Sequence, residues 1–213
     1  RAALEMLDEM FKGKKDTVWM VLSAGGPIRY NGSLPYYASL IKEVKDKYGK
    51  KVELLIDFKY TAGPGETMSV LDIPRNTPQD IITPNLEEFI QILASSGLAE
   101  SHLDENTITE EDIKKHAAEL RRKYNLLGVL VSMDKAGLML VLEDRIIKEK
   151  GVKIKPLCHT AAGDSLKAGI LHTLSKGGSF EQAVHNGNLF GASTASMEGS
   201  RTVTPGKLAE IAT

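Results

Sequence analysis

The chain has a single cysteine, Cys158, among its 213 residues. One thiol excludes an internal disulfide and fits a reducing compartment. An excess of charge is missing too: 27 basic residues face 28 acidic ones, for a net charge of -1. Both signs alternate along residues 43–51 and 114–123 as they do on solvated helix faces. That balance argues against nucleic acid or a membrane surface as a partner and points to a small molecule. No apolar run approaches the roughly 20 residues of a membrane span, and the first residues are amphipathic rather than a signal peptide, so the cytoplasm is the expected location. No Walker A pattern occurs, which excludes a P-loop as the nucleotide holder. His102, His116, His159, His172 and His185 fall at no spacing that sets two on one helix face, and there is no cysteine cluster, so no zinc site is expected.

What is present is an alternation of two periods. Residues 17–22, 52–56, 81–83, 126–131 and 138–142 are short apolar runs of strand length, several of them suited to burial on both faces of a sheet. Helical patterns stand between and after them. One runs over 35–48, opened by Pro35 and closed by Gly49; one carries Phe89, Ile92 and Leu93; others cover 109–124 and 180–197, and a short one ends near 211. Strands alternating with helices predict an open, mostly parallel α/β sheet covered on both faces, as a single domain over 1–213. Residues 59–79, with Gly63-Pro64-Gly65 at their centre, read as a long loop. Leu4, Leu7, Met10 and Phe11 recur at helical spacing with no capping residue before them, so the chain is expected to be the C-terminal part of a longer one.

Residues 155–169 organise the rest. A strand is expected over 152–157, then the small-residue turn Ala161-Ala162-Gly163, then Asp164 and a helical pattern at Leu166, Ile170, Leu171 and Leu174. Small residues let backbone N–H groups approach a ligand. A helix starting near Asp164 would direct its free N–H groups and the positive end of its dipole into the turn, which makes a phosphate site. The plain alternative is that Asp164 is an N-cap worth about 1 kcal/mol. Other positions are equally two-sided. Asn85 with Glu88 three residues later is a capping box; Ser132 to Gly137 link two strands as a hairpin; Asp57 ends a strand at the sheet edge where ligands sit, or caps a nearby turn; Asn188 lies on a helix and could face solvent.

The order of these segments resembles the ribokinase/phosphofructokinase-B family of carbohydrate kinases. Ala161-Ala162-Gly163-Asp164-Ser165, with Ala168-Gly169 beyond, is similar to its Gly-Ala-Gly-Asp signature; Pro84-Asn85-x-x-Glu88 to its Lys-Pro-Asn-x-x-Glu element; Ser132 to Gly137 to its Thr/Ser-Leu-Gly-x-x-Gly hairpin; and Asn188-x-x-Gly191 to its adenine-side Asn-x-x-Gly segment. Ser23 and Pro27 match part of a further loop. The resemblance implies a ribokinase-like three-layer αβα sandwich without the lid sheet, which would lie in a preceding portion. It implies ATP and Mg2+ as cofactors and a sugar phosphate as substrate, as in the fructose- and tagatose-phosphate kinases, and allows a homodimer of the complete protein.

By the same resemblance Asp164 is the general base, with Ala161, Ala162 and Gly163 as the anion hole. Ser132, Met133, Asp134, Gly137, Asn188 and Asn85 lie along the nucleotide, Asn85 and Glu88 organise Mg2+ indirectly, and Asp57 is near the sugar. Ala161, Cys158, Asp134 and Thr83 depart from the pattern. A methyl at Ala161 is expected to resist the positive backbone angles that glycine allows, and an acid at Asp134 would repel a triphosphate unless a metal or Lys135 compensates. Other sugar or nucleoside kinases of the family, and a binding protein that has lost efficient catalysis, remain alternatives.

Overall fold

The computed structural model describes residues 18–23, 33–48, 52–57, 71–72, 78–99, 103–199 and 203–212. The expected first helix, the Gly25-Gly26-Pro27 loop and most of the 59–79 loop lie outside the described residues. Among the described residues six strands form one sheet in sequence order: β1 (Val18–Ser23), β2 (Val52–Asp57), β3 (Gln79–Ile82), β4 (Leu126–Ser132), β5 (Leu138–Val141) and β6 (Ile146–Glu149). β1 to β4 pair in parallel; β4, β5 and β6 pair antiparallel. The helices are α1 (Ser33–Tyr48), α2 (Leu86–Ser95), α3 (Glu110–Lys123), α4 (Ala162–Ser175), α5 (Phe180–Ala195) and α6 (Pro205–Ile211).

Alternation along the strands divides the core in two. Ile56, Ile82, Val129 and Val131 turn to one face, against Val44 of α1, Phe89, Ile92 and Leu93 of α2, and Ile113, Ala117 and Leu120 of α3. Leu55, Ile81 and Leu130 turn to the other, against Ile170 and Leu174 of α4 and Ala183 and Val184 of α5. Because successive side chains of a strand point to opposite faces, strands buried on both sides read as unbroken apolar runs. The result is the expected three-layer αβα arrangement around a mostly parallel sheet.

Capping fixes where the helices start. Asn85 with Glu88, Thr109 with Asp112, and Ser179 with Gln182 each form a complete capping box, opening α2, α3 and α5, each worth about 1 kcal/mol. α4 and α5 pack closely because each brings a glycine to the crossing: a Cβ on Gly169 would lie 3.1 Å from Gly187 Cα, and one on Gly187 would lie 2.7 Å from Ile170 Cγ1.

One expectation is corrected. Residues 152–157 are not a strand. They run as irregular chain, and the N–H groups of Leu157 and Cys158 both donate to the Ala195 carbonyl at the end of α5. A strand pattern is no strand without a neighbouring ladder, and Pro156 has no N–H to offer one. Instead β6 forms over Ile146–Glu149, an edge strand with alternating exposure. A hydrogen bond with the Thr160 side chain holds the Cys158 thiol below its ordinary pKa.

Candidate active site

The C-terminal ends of β1 and β2 are level, since Ser23 and Asp57 are register partners. From this edge the chain positions its charged groups. β2 ends in Asp57, which is 3% exposed. β3 leads through Thr83, whose backbone N–H and hydroxyl both donate to the Ile56 carbonyl, at 2.9 and 3.2 Å. This pair of hydrogen bonds satisfies the hydroxyl of Thr83, which is 7% exposed. Next come Pro84 and the capping box: Asn85 Oδ1 accepts from Glu88 N at 2.8 Å and Glu88 Oε2 accepts from Asn85 N at 2.9 Å.

α4 approaches the same edge from the other face. Its N-cap is Ala161, at φ 64 and ψ 5, with no side-chain cap. Ala162, Gly163 and Asp164 are its first three residues, so Asp164 lies inside the first turn and is not the N-cap that the plain reading offered. The N-caps of α2, α3, α5 and α6 all supply a side-chain acceptor. At α4 a methyl takes that place, so the N-cap side chain offers no acceptor to the N–H groups of the first turn. The Asp164 side chain is 57% exposed. Ala161 corrects the other expectation about this turn: it adopts the left-handed conformation that a methyl was expected to resist. The strain of such a residue is about 1–2 kcal/mol, and glycine gives part of that gain back as unfolded-chain entropy. Ala161→Gly is thus expected to raise stability by roughly 0.5–1 kcal/mol, read as a higher denaturation midpoint.

Between the two faces stands a residue that the sequence reading passed over. Lys167, one turn beyond Asp164, places its Nζ 2.7 Å from Asp57 Oδ1 and 3.6 Å from Asp164 Oδ1, with only 9% of its side chain exposed. The signal was available: 167, 170, 171 and 174 form one helical stripe, and a lysine on an apolar stripe needs a partner. Glu88 belongs to the same electrostatic group. Burial pushes its carboxyl above the ordinary range, the Asn85 N–H opposes that, Asp57 raises it further, and Lys167 pulls it back. Asp57, Glu88, Asp164 and Lys167 thus gather at the C-terminal edge of the sheet, from both of its faces.

The hairpin residues form a second group, joined to the first at Asn85. Ser132 makes an isolated parallel bridge with Asn85, and its N–H donates to the Pro84 carbonyl at 3.0 Å. Met133 is buried, and its N–H closes the turn onto the Gly137 carbonyl at 2.8 Å. Asp134 opens a single 3-10 turn over Asp134–Ala136 and is exposed. Gly137 has φ 98, and any Cβ there would collide with the Glu149 carbonyl. Asn188 does not face solvent. It is 8% exposed, and its Nδ2 donates to the Lys150 carbonyl at 2.7 Å, pinning the segment packed under the hairpin turn.

Mg2+ fits this edge in one way. No group of three His, Cys, Asp or Glu side chains suited to a metal occurs among the described residues. Glu88 is a carboxyl whose ionised form suffers from burial and from Asp57, which a nearby cation would relieve. Mg2+ is commonly held by one or two carboxylates with substrate phosphates and water. The cap and the charge can be separated by experiment. Gln also completes a capping box, so Glu88→Gln should keep α2 while removing the charge. Because the folded-state pKa of Glu88 is raised, the folded form holds its proton longer than the unfolded chain. Stability from this group is full below the ordinary Glu range and falls as pH rises through that range toward the folded value. Glu88→Gln is therefore expected to match the parent at low pH, to equal or exceed it at neutral pH, and still to lose turnover; denaturation midpoints against pH, beside a rate assay, check it.

Comparison with known proteins bears on the family and the fold. A family model described as "pfkB family carbohydrate kinase" matches residues 65–207. The bifunctional protein HldE of Coxiella burnetii (strain Dugway 5J108-111) is 26% identical over 141 residues, which is 63% of this chain and 26% of that protein. Among solved structures, phosphofructokinase-2 from Escherichia coli, in complex with substrates and products, superposes with a TM-score of 0.73 at 18% identity, covering 99% of this chain and 61% of that one. Ribokinase from Thermotoga maritima gives 0.65 at 17% identity, covering 92% and 56%. Aminoimidazole riboside kinase from Salmonella enterica gives 0.66 at 17%, covering 93% and 63%. This chain spans about a quarter of the length of the curated relative, 26%. The structural likeness shows the ribokinase-like fold, and because the family model spans more than half of the sequence, the chain belongs to the pfkB family of carbohydrate kinases.

Proposed function

We infer that the protein containing this chain transfers the terminal phosphoryl group of ATP to a hydroxyl of a sugar phosphate, of the fructose- or tagatose-phosphate kind. The observation that carries the reading is the uncapped first turn of α4, with Asp164 in it and exposed. The sugar hydroxyl oxygen attacks phosphorus, the bond to the leaving nucleoside diphosphate breaks with its electron pair going to that diphosphate, and the hydroxyl proton passes to Asp164. The Gly163 N–H and the positive end of α4 favour the negative charge on the moving group. Bound Mg2+ would neutralise phosphate charge on the Glu88 side. The Ser132–Gly137 turn, held rigid by Asn188 through Lys150, is the surface offered to the nucleotide.

The test is turnover by the full-length protein with Mg-ATP and a panel of fructose 6-phosphate, fructose 1-phosphate, tagatose 6-phosphate and ribose. Sugar-dependent ADP release supports the kinase and identifies its substrate. Nucleotide binding without turnover on any sugar would replace this reading with that of a binding protein.

A further inference from the structure

The ammonium of Lys167 is the part of the site that the transfer scheme leaves unused. Its location is costly. Lysine is seldom buried without a partner, and the first turn of a helix is the positive end of the helix dipole. Lys167 meets both conditions: its side chain is 9% exposed, and its Nζ lies 3.7 Å from where a Cβ on Gly163 would stand. Asp57 offsets the burial at 2.7 Å. An ammonium carries three N–H donors, however, and its other partner among the described residues is Asp164, at 3.6 Å. That distance is too long for a hydrogen bond and within ion-pair range.

We propose that Lys167 is a positioning residue for the transfer step, resting on the reading of Asp164 as the base. Fixed at its head by Asp57, Lys167 holds the exposed Asp164 carboxylate over the first turn of α4. An ordinary surface pair three residues apart leaves both side chains free to turn. Here the lysine cannot turn, because its stem is packed and its charge is tied to the end of β2. The base is thereby held to the sheet as well as to its own helix, and the proton acceptor and the Gly163 N–H converge on one spot.

The experiment compares the full-length protein with Lys167→Met, Asp164→Asn and the two combined, using whichever sugar of the panel is turned over. Lys167→Met leaves Asp57 buried without its cation and endangers folding, so Asp57→Asn with Lys167→Met is carried alongside, and thermal midpoints are measured for all. Loss of Lys167 is expected to lower kcat by about 10²-fold, as misplacement of a reacting group by about 1 Å does. For Lys167→Met the sugar KM should change little. Lys167→Met should not reduce the rate further in the Asp164→Asn background, because a residue acting through Asp164 then has nothing to act on. A lowered midpoint with kcat at the parent value, or losses that add to that of Asp164→Asn, would overturn the proposal. Full turnover by Asp164→Asn would instead remove the base and this inference together, which separates the two failures.

Discussion

Asp164→Asn should lower kcat by about 10²- to 10⁴-fold, the range that general-base assistance supplies, while the protein stays folded. The side chain is 57% exposed and does not cap α4; losing its charge in the first turn costs about 0.3–1 kcal/mol, beside the contact with Lys167 at 3.6 Å. Asn keeps the shape and an oxygen acceptor but cannot accept the hydroxyl proton at neutral pH. Nucleotide affinity should hardly change, because a neutral side chain repels phosphate no more than an ionised one. Steady-state kinetics beside a thermal melt decide the matter. An unaltered kcat removes Asp164 from the chemistry, and a large fall in the midpoint would mean that the carboxylate was structural.

Asp80→Ala should do the reverse. At the far end of the sheet, Asp80 is 1% exposed, sits at φ 65 within β3, forms an ion pair with Lys45 and accepts from Leu54 N at 3.0 Å. Removing one partner of a buried pair costs about 3–5 kcal/mol. Alanine also tolerates the left-handed backbone less well than aspartate. For a domain of this size that is a fall of roughly 6–20 °C in the thermal midpoint. The rate per folded molecule should be unchanged, since Asp80 lies away from the strand ends that carry the site. Asp80→Asn, which keeps the acceptor and the backbone tolerance, should cost less. Equal losses for both variants would show that charge alone matters at this position.

The two variants mark what the sequence made legible. Asp164, Asn85 and Glu88 were visible because small residues, caps and acids stand at fixed offsets from helical patterns. β1, β2, β4 and β5 were visible because strands buried on both faces leave unbroken apolar runs. Asp80 was not, because its meaning lies in Lys45 and Leu54, remote in sequence; Lys167 shows in the sequence as a lysine on an apolar stripe, but its partner Asp57 is too remote to be read there. β6 escaped for a related reason. An edge strand half open to solvent, Ile146–Glu149, has no continuous apolar signal, whereas residues 152–157 have the right alternation and no strand to pair with. Ala161 shows the limit of residue preference: methyl strain of a kilocalorie or two yields to the packing that sets where α4 begins.

The division of the core has a consequence for how long the site survives. Glu88 rides on a helix anchored in one hydrophobic layer and Asp164 on a helix anchored in the other. Proteins open in cooperative units of unequal stability, and the constellation is broken whenever either layer lets go. The lifetime of the assembled site is then that of its weaker half. Ligand that spans both sides of the sheet edge would act as a clasp, slowing amide exchange in α2 and in α4 alike although it touches only their first turns.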